Sequence, residues 1–301
     1  MVDDGGSTGL LRDQYGVLPA GDIRQCLVAL SESPQAVRQL FNHRFPKGLN
    51  ETSKDLSGQN FGNLCLLAAE QITGDITSAV KLAGSMLAIS GQVIPVTGDD
   101  RRLVITTVDG QVIEGEHQAE LTELPSLRGA EISFDKNPTE VNPKAAQAIR
   151  QADVVVIVPG DLYTSIAPAL AVQGVQEALQ KVPCIIQVAN LMNRSRHTAN
   201  FSVADHAAEV ERIAGIKLDY VLYNTEAPTE EALKIYARDG EFPVAVNQTE
   251  FAQATYQAIG KPLLSKTALQ SHPDDLLANN RSLVRHSSPQ VAKAILEICQ
   301  S

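Results

Sequence analysis

The stretch from Asp153 to Ser165 reads Asp-Val-Val-Val-Ile-Val-Pro-Gly-Asp-Leu-Tyr-Thr-Ser, and it restricts the fold more than any other part of the chain. Val154 to Val158 is an unbroken β-branched run. A run without polar alternation suits a strand covered on both faces, as in a parallel sheet. Pro159-Gly160 ends it, and Thr164 or Ser165 is placed to cap a helix bearing Ile166, Leu170, Val175 and Leu179. Pro168 falls in the first turn of that helix, where a missing N–H costs little. Ligands of open α/β sheets sit beyond the carboxyl ends of the strands, and helix N-termini attract anions. The turn at Gly160 is therefore the first place to expect a bound phosphate, although a βα turn that binds nothing has the same pattern.

The rest of the chain extends this picture. Strand-like and helix-like segments alternate from 131 to 259. The strands are expected at 131–134, 184–189, 220–224 and 243–246, and the helices at 144–151, 230–238 and 250–259, with another beginning at Ser202. Asn142-Pro143 gives a cap followed by proline at the first helical position. Upstream, Ile23, Cys26, Leu27 and Leu30 mark one helical face, with Asp22 as its expected cap. Arg24 in that first turn opposes the helix dipole, which points to a nearby carboxylate or phosphate or to a solvated surface position. Asn60 and Asn63 flank Gly62 at the start of a further helix, and Gly74-Asp75 separates it from the next. Asp109-Gly110 between Val104–Val108 and Val112-Ile113 predicts a β-hairpin within 103–117. The polar stretch from 265 to 282 reads as a loop, and Ser288-Pro289 as the start of a last helix. The fold class expected is α/β, a doubly wound and mostly parallel sheet with an antiparallel hairpin insertion and a helical subregion. It is read as one domain over 1–301, with helices about 21–91, the hairpin about 103–117 and the main α/β part 131–301.

Composition limits the functions open to such a fold. The chain has 301 residues, 44% of them hydrophobic, and a formal net charge of -10 with no basic stripe, which argues against nucleic-acid binding. The four cysteines, Cys26, Cys65, Cys184 and Cys299, show no metal spacing and lie in apolar segments, so reduced thiols and a cytoplasmic address are expected. No segment is long and apolar enough to insert in a membrane. The chain opens on Asp3-Asp4-Gly5-Gly6-Ser7-Thr8-Gly9. The glycines free the backbone for close approach to a ligand, the two carboxylates suit a divalent cation, and the hydroxyls suit phosphate oxygens. A frayed terminus would have the same composition.

Taken together, seven segments carry a resemblance. They are Asp3-Asp4-Gly5-Gly6-Ser7, Gly21-Asp22-Ile23-Arg24, Gly62-Asn63-Leu64, Pro159 to Ser165, Asn190-Leu191-Met192, Asp205-His206 and Val284-Arg285-His286. In this order they resemble the YvcK-type gluconeogenesis factors, bacterial proteins that bind UDP-N-acetylglucosamine, and more distantly the CofD-type phospholactate transferases. The resemblance implies a nucleotide-sugar cleft at the carboxyl edge of the sheet. Asp3, Asp4, Gly5, Gly6 and Ser7 would line its reactive or phosphate end, and Gly160, Tyr163, Thr164 and Ser165 would meet the nucleotide. Asn190 and Arg285 would close over the ligand, while Asp22, Arg24 and Asn63 complete the set. No cofactor is required on this reading, and UDP-N-acetylglucosamine is the ligand. A homodimer and regulatory protein partners are compatible with it, in a role in central carbon metabolism and cell shape.

Two further readings stand beside it. One is a Mg²⁺-dependent transfer of a phospholactyl-type group from a nucleotide diphosphate to a deazaflavin, with Asp3 and Asp4 as metal ligands. The other is a truncated, binding-impaired relic, because the resemblance implies a strand and glycine-rich loop ahead of Asp3 that this sequence lacks. The residues also depart from the family pattern near the expected site. Asp161 stands where a serine is usual, Gln59 where a histidine is usual, and Arg194-Ser195-Arg196-His197 where Gln-Pro-Gly-Glu is usual. A carboxylate at 161 is expected to repel a phosphate unless a cation bridges the two. His206, beside Asp205, is expected on a helix surface.

Overall fold

The computed structural model describes residues 18, 20–46, 56, 58–122, 124, 126–266 and 283–300. The calls on Asp3, Asp4, Gly5, Gly6 and Ser7, and on most of the 265–282 loop, lie outside these residues. The chain divides into two compact units, one formed by 1–104, 114–119 and 134–146, the other by 105–113, 120–133 and 147–301.

The first unit is helical. It holds α1 (Gly21–Ala29), α2 (Gln35–Asn42), α3 (Phe61–Thr73) and α4 (Ile76–Met86). Ile23, Leu27, Phe41, Leu66, Ala79, Val80 and Leu87 form its core. Asn60 caps α3 by accepting from the Asn63 N–H, and Asp75 caps α4 by accepting from the Ser78 N–H. Gly74 between them adopts φ 84°, a left-handed conformation that suits glycine. The expected cap at Asp22 is not formed. Helix α1 begins two residues earlier, after Ala20, with no side-chain cap, and Asp22 lies exposed inside the first turn.

A small antiparallel sheet of order β2-β1-β3 comprises β1 (Leu103–Thr106), β2 (Val112–Glu114) and β3 (Glu131–Phe134). Helices α5 (Glu116–Leu121) and α6 (Pro143–Gln151) complete this part of the chain. The hairpin is present, but Thr107 and Gln111 close it around three residues, with Gly110 at φ 86°.

The main sheet lies within the second unit. Strands β4 (Val155–Ile157), β5 (Ile185–Val188), β6 (Tyr220–Asn224) and β7 (Gln257–Lys261) pair in parallel in that order. The β4–β5 crossover carries a π turn (Leu162–Ile166), α7 (Ala167–Leu170) and α8 (Val175–Leu179). The β5–β6 crossover carries α9 (Val203–Ala214), and the β6–β7 crossover carries α10 (Glu230–Arg238) and α11 (Gln248–Phe251). Sequential parallel strands whose crossovers take the usual right hand carry their helices on one face. The last helix, α12 (Ser288–Cys299), covers the other, where Ala294 and Ile298 pack on Ile186, Val188 and Leu222. All four residues of β5 are buried, Gln187 among them, whereas the unbroken run of β4 is less fully covered than expected, with Val155 and Val156 half-buried, Ile157 buried and Val158 exposed.

One expected helix is a strand. The span read as helix 250–259 holds the short α11 and then β7. Its second half, Tyr256-Gln-Ala-Ile-Gly-Lys-Pro, has a glycine and a proline that disfavour a helix, and β6 offers an open edge whose ladder it completes from Tyr220↔Gln257 to Asn224↔Lys261.

Candidate functional site

Four segments at the carboxyl ends of the strands build one cleft in the second unit. After β4 the chain turns through Pro159 and Gly160, and Asp161 caps the π turn. This corrects the expected cap at Thr164 or Ser165. Asp161 Oδ1 accepts from the backbone N–H groups of Tyr163 and Thr164, each at 3.1 Å. The Asp161 carbonyl accepts from Ser165 and Ile166, and the second of these bonds is the i→i+5 contact that defines a π turn. After β5 the loop is fixed by backbone pairing to the segment before α11, through Asn193 N–H to Phe242 at 2.8 Å and Val244 N–H to Leu191 at 3.0 Å. The third segment, Val284 to Ser287, pairs with Leu263 to Ser265 just beyond β7 and is braced where Val284 N–H meets the Tyr236 hydroxyl of α10. Glu241, just beyond α10, closes the remaining side.

The resulting cavity of about 410 Å³ is lined by Gly160, Asp161, Asn190, Arg194, Glu241 and Arg285, among others. Its size is in the range of small-molecule sites. Asn190 Nδ2 donates to the Gly160 carbonyl at 2.7 Å and so ties the ends of β4 and β5 together, leaving Oδ1 as its open acceptor. A larger cavity of about 870 Å³ lies beside Leu179, Gly215 and Asp219, but its charged groups are already paired: Lys217 holds Glu211, and Asp219 accepts from the Ile185 N–H.

Asp161 dominates the electrostatics of the smaller cavity. A tight turn at Arg194–Thr198 aims two side chains at it. His197 Nδ1 lies 2.8 Å from Asp161 Oδ2, and Arg194 Nε lies 3.3 Å from the same oxygen. Because a carboxylate only accepts, the His197 proton sits on Nδ1. Burial alone would push the Asp161 carboxyl up. The His197 bond and charge, with Arg194 and the Thr164 N–H, outweigh it and hold the group well below the usual carboxylate range. Arg194 also approaches Glu241 at 3.5 Å and Glu120 at 4.0 Å. Burial pushes the Glu241 carboxyl up, with Arg194 offsetting part of that shift.

The remaining expected site residues fall elsewhere. Tyr163 is fully buried, and its hydroxyl donates to Glu209 Oε2 at 2.8 Å, so its ring faces the interior. Thr164 is buried as well, while Ser165 is exposed. Arg24 and Asn63 belong to the helical unit. Arg24 is not solvated there: it is buried, and it donates to Asn63 Oδ1 at 3.1 Å and Asn42 Oδ1 at 2.5 Å, joining α1, α2 and α3. His206 is 1% exposed and not on a helix surface. Its Nε2 meets Asn193 Oδ1 at 3.0 Å, and burial drives its pKa down to about 4. Asp205 closes a capping box with Ser202 at the start of α9.

Comparison with known proteins gives the family. The family model for 2-phospho-L-lactate transferase CofD matches residues 1–264. The chain belongs to the CofD family. Its relatives there include the gluconeogenesis factor of Bacillus subtilis, 31% identical over 302 residues that cover 99% of this chain and 88% of that protein. The gluconeogenesis factor of Listeria innocua is 33% identical over 305 residues, covering 98% and 85%. A longer relative from Nostoc sp. is 35% identical over 303 residues, and this chain spans 61% of its length. A crystal structure of a UPF0052 family member from Bacillus halodurans superposes with a TM-score of 0.85 at 30% identity, covering 98% of this chain and 88% of that one.

The family's segments thus supply Gly160, Asn190 and Arg285 to one cleft. Glu241, Tyr236 and His286 also line it, and His197 holds Asp161 from behind its wall; none of these four was foreseen as a site residue. His197 lies within the departure from the family pattern at 194–197, which was the available signal. His286 follows Arg285 in a motif already singled out, and its Nε2 is buried with no hydrogen-bond partner. No helix among the described residues is long and apolar enough to cross a membrane.

Proposed function

We propose that this member of the CofD family binds a nucleotide sugar, UDP-N-acetylglucosamine being the first candidate, and acts as a cytoplasmic regulator of central carbon metabolism and cell-wall precursor supply. The observation that supports it is the cleft itself. A polar cavity of about 410 Å³ lies beyond the carboxyl ends of adjacent parallel strands, with the Asn190 amide oxygen and the Arg285 side chain on its wall. Parallel α/β sheets place ligands there. Likeness to the Bacillus subtilis and Listeria innocua gluconeogenesis factors supports the regulatory role. The transferase reading is favoured by the description of the family model. It needs Mg²⁺ near Asp3 and Asp4, which lie outside the described residues. Among the described residues no group of three His, Cys, Asp or Glu side chains suits a metal, so no catalytic step is assigned through one.

Calorimetry with UDP-N-acetylglucosamine and with GDP tests the proposal. Heat with the former alone supports it, and heat with neither refutes it. A charge-assisted contact from Arg285 to a diphosphate contributes about 1.5–3 kcal/mol. Arg285→Ala should then weaken binding roughly ten- to a hundredfold. Unchanged affinity would remove Arg285 from the ligand contacts.

A further inference from the structure

Asp161 and the loop at Arg194–His197 look like two unrelated departures in the sequence, yet they meet in space. The Asp161 carboxylate has about four acceptor positions, and all four are taken. Oδ1 accepts from the Tyr163 and Thr164 N–H groups, and Oδ2 accepts from His197 and Arg194. His197 and Asp161 are 5% and 9% exposed at the side chain, so the pair is buried, with Asp161 on the wall of the cleft and His197 behind it. The carboxylate therefore occupies, from within the chain, the place that a ligand's anionic group would take at this turn. It also uses the donors that such a group would need.

We propose that Asp161, held by His197 and Arg194, determines the specificity of the cleft: it keeps phosphate away from the Gly160–Thr164 turn and leaves that end to a neutral, hydroxyl-bearing part of the ligand. The inference rests on the cleft being the ligand site and adds which end of a nucleotide sugar faces which wall. Close to the turn, the groups left for a ligand are Asn190 Oδ1 and the Glu241 carboxyl, both of which accept from hydroxyls. The sugar moiety then lies against β4 and β5, and the diphosphate lies toward the Val284–His286 segment. Arg194 also belongs to the wall of an adjoining cavity of about 570 Å³, so its contact with Asp161 separates the two spaces.

The test uses inorganic phosphate as probe, titrated into the full chain and into two variants. Asp161→Ser vacates the position while leaving its donors in place. Asp161→Asn removes the charge but keeps an acceptor for the turn and fills the same space. The wild type should show no saturable phosphate binding in the low millimolar range. Asp161→Ser should gain at least tenfold in affinity, in a manner weakened by salt, and Asp161→Asn should gain less. Adding Arg194→Gln to Asp161→Ser should abolish the gain, which places the bound phosphate at the turn. A folded Asp161→Ser protein that binds phosphate no better than wild type overturns the proposal. If that variant does not fold, Asp161→Asn decides, and no gain there overturns it equally. UDP-N-acetylglucosamine is titrated in parallel. If it binds none of the proteins while phosphate behaves as expected, the ligand assignment fails and the role of Asp161 stands.

Discussion

At the scale of single residues, Tyr163 shows how a motif identifies a place without identifying a contact. The sequence places it in the turn after β4, where a ligand was expected, and the structure turns its hydroxyl inward to Glu209, which Arg212 also holds at 2.7 Å. Tyr163→Phe should destabilise the protein by about 1.5–3 kcal/mol, the worth of a hydrogen bond to a charged group. It should leave nucleotide-sugar affinity unchanged, as urea melts and calorimetry on the same variant would show. A large loss of affinity at unchanged stability would return Tyr163 to the ligand. Side-chain direction was not legible because it depends on the π turn. The i→i+5 bond from Ile166 to Asp161 changes the phase of the residues that follow, and no spacing rule for an α-helix anticipates it. The partners of Asp161 were equally hidden, since His197 lies 36 positions away. The oddity of Asp161 was legible as a carboxylate expected to repel phosphate; that Arg194 and His197 of the same chain hold it was not.

At the scale of elements, strands with both faces covered and helices with side-chain caps were the legible ones. Strands β5 and β6 fall where their mostly apolar segments put them, and α9 starts at its Ser202–Asp205 capping box. The strand β7 was missed because its five residues are half-buried or exposed and only Ala258 and Ile259 are apolar side chains. Its evidence is the neighbouring strand, which the local sequence does not contain. Helix α3 carries a sharper constraint. A Cβ on Gly62 would lie 2.5 Å from the Phe41 carbonyl oxygen and 2.7 Å from Arg24 Cδ. The backbone oxygen cannot swing aside, so α2 and α3 would have to separate and Arg24 would strain its bonds to Asn42 and Asn63. Gly62→Ala should therefore cost about 1–3 kcal/mol in a denaturant melt, despite alanine's better helix propensity. A neutral or stabilising result would mean that the helices do not approach this closely.

At the scale of the whole molecule, two buried groups give acid sensitivity the same sign. His206 has a native pKa driven to about 4 by burial, against 6.5 for an ordinary imidazole. Between those values the unfolded chain binds the extra proton and the native chain does not. Stability is therefore lost as the pH falls from about 6.5 to about 4, by up to about 3 kcal/mol. Asp161 has a depressed native pKa, so its contribution is present above about pH 3.9 and is lost as the pH falls further. Denaturant melts across this range should show a first decline that His206→Gln flattens and a second, more acidic one that Asp161→Asn flattens. A first decline with the same slope in both His206 forms would assign it to other groups. The joining of Asp161 to His197 and Arg194 has a historical consequence. A lineage that replaced Asp161 first would pass through a chain with the Arg194 guanidinium and the His197 ring N–H facing an emptied turn. One that replaced the loop first would bury a carboxylate without its counter-charges. Each intermediate is less stable than either end state, so the two segments should be inherited together or lost together. Among relatives, an aspartate at the first position should be found with basic residues at the second, and its absence with their absence.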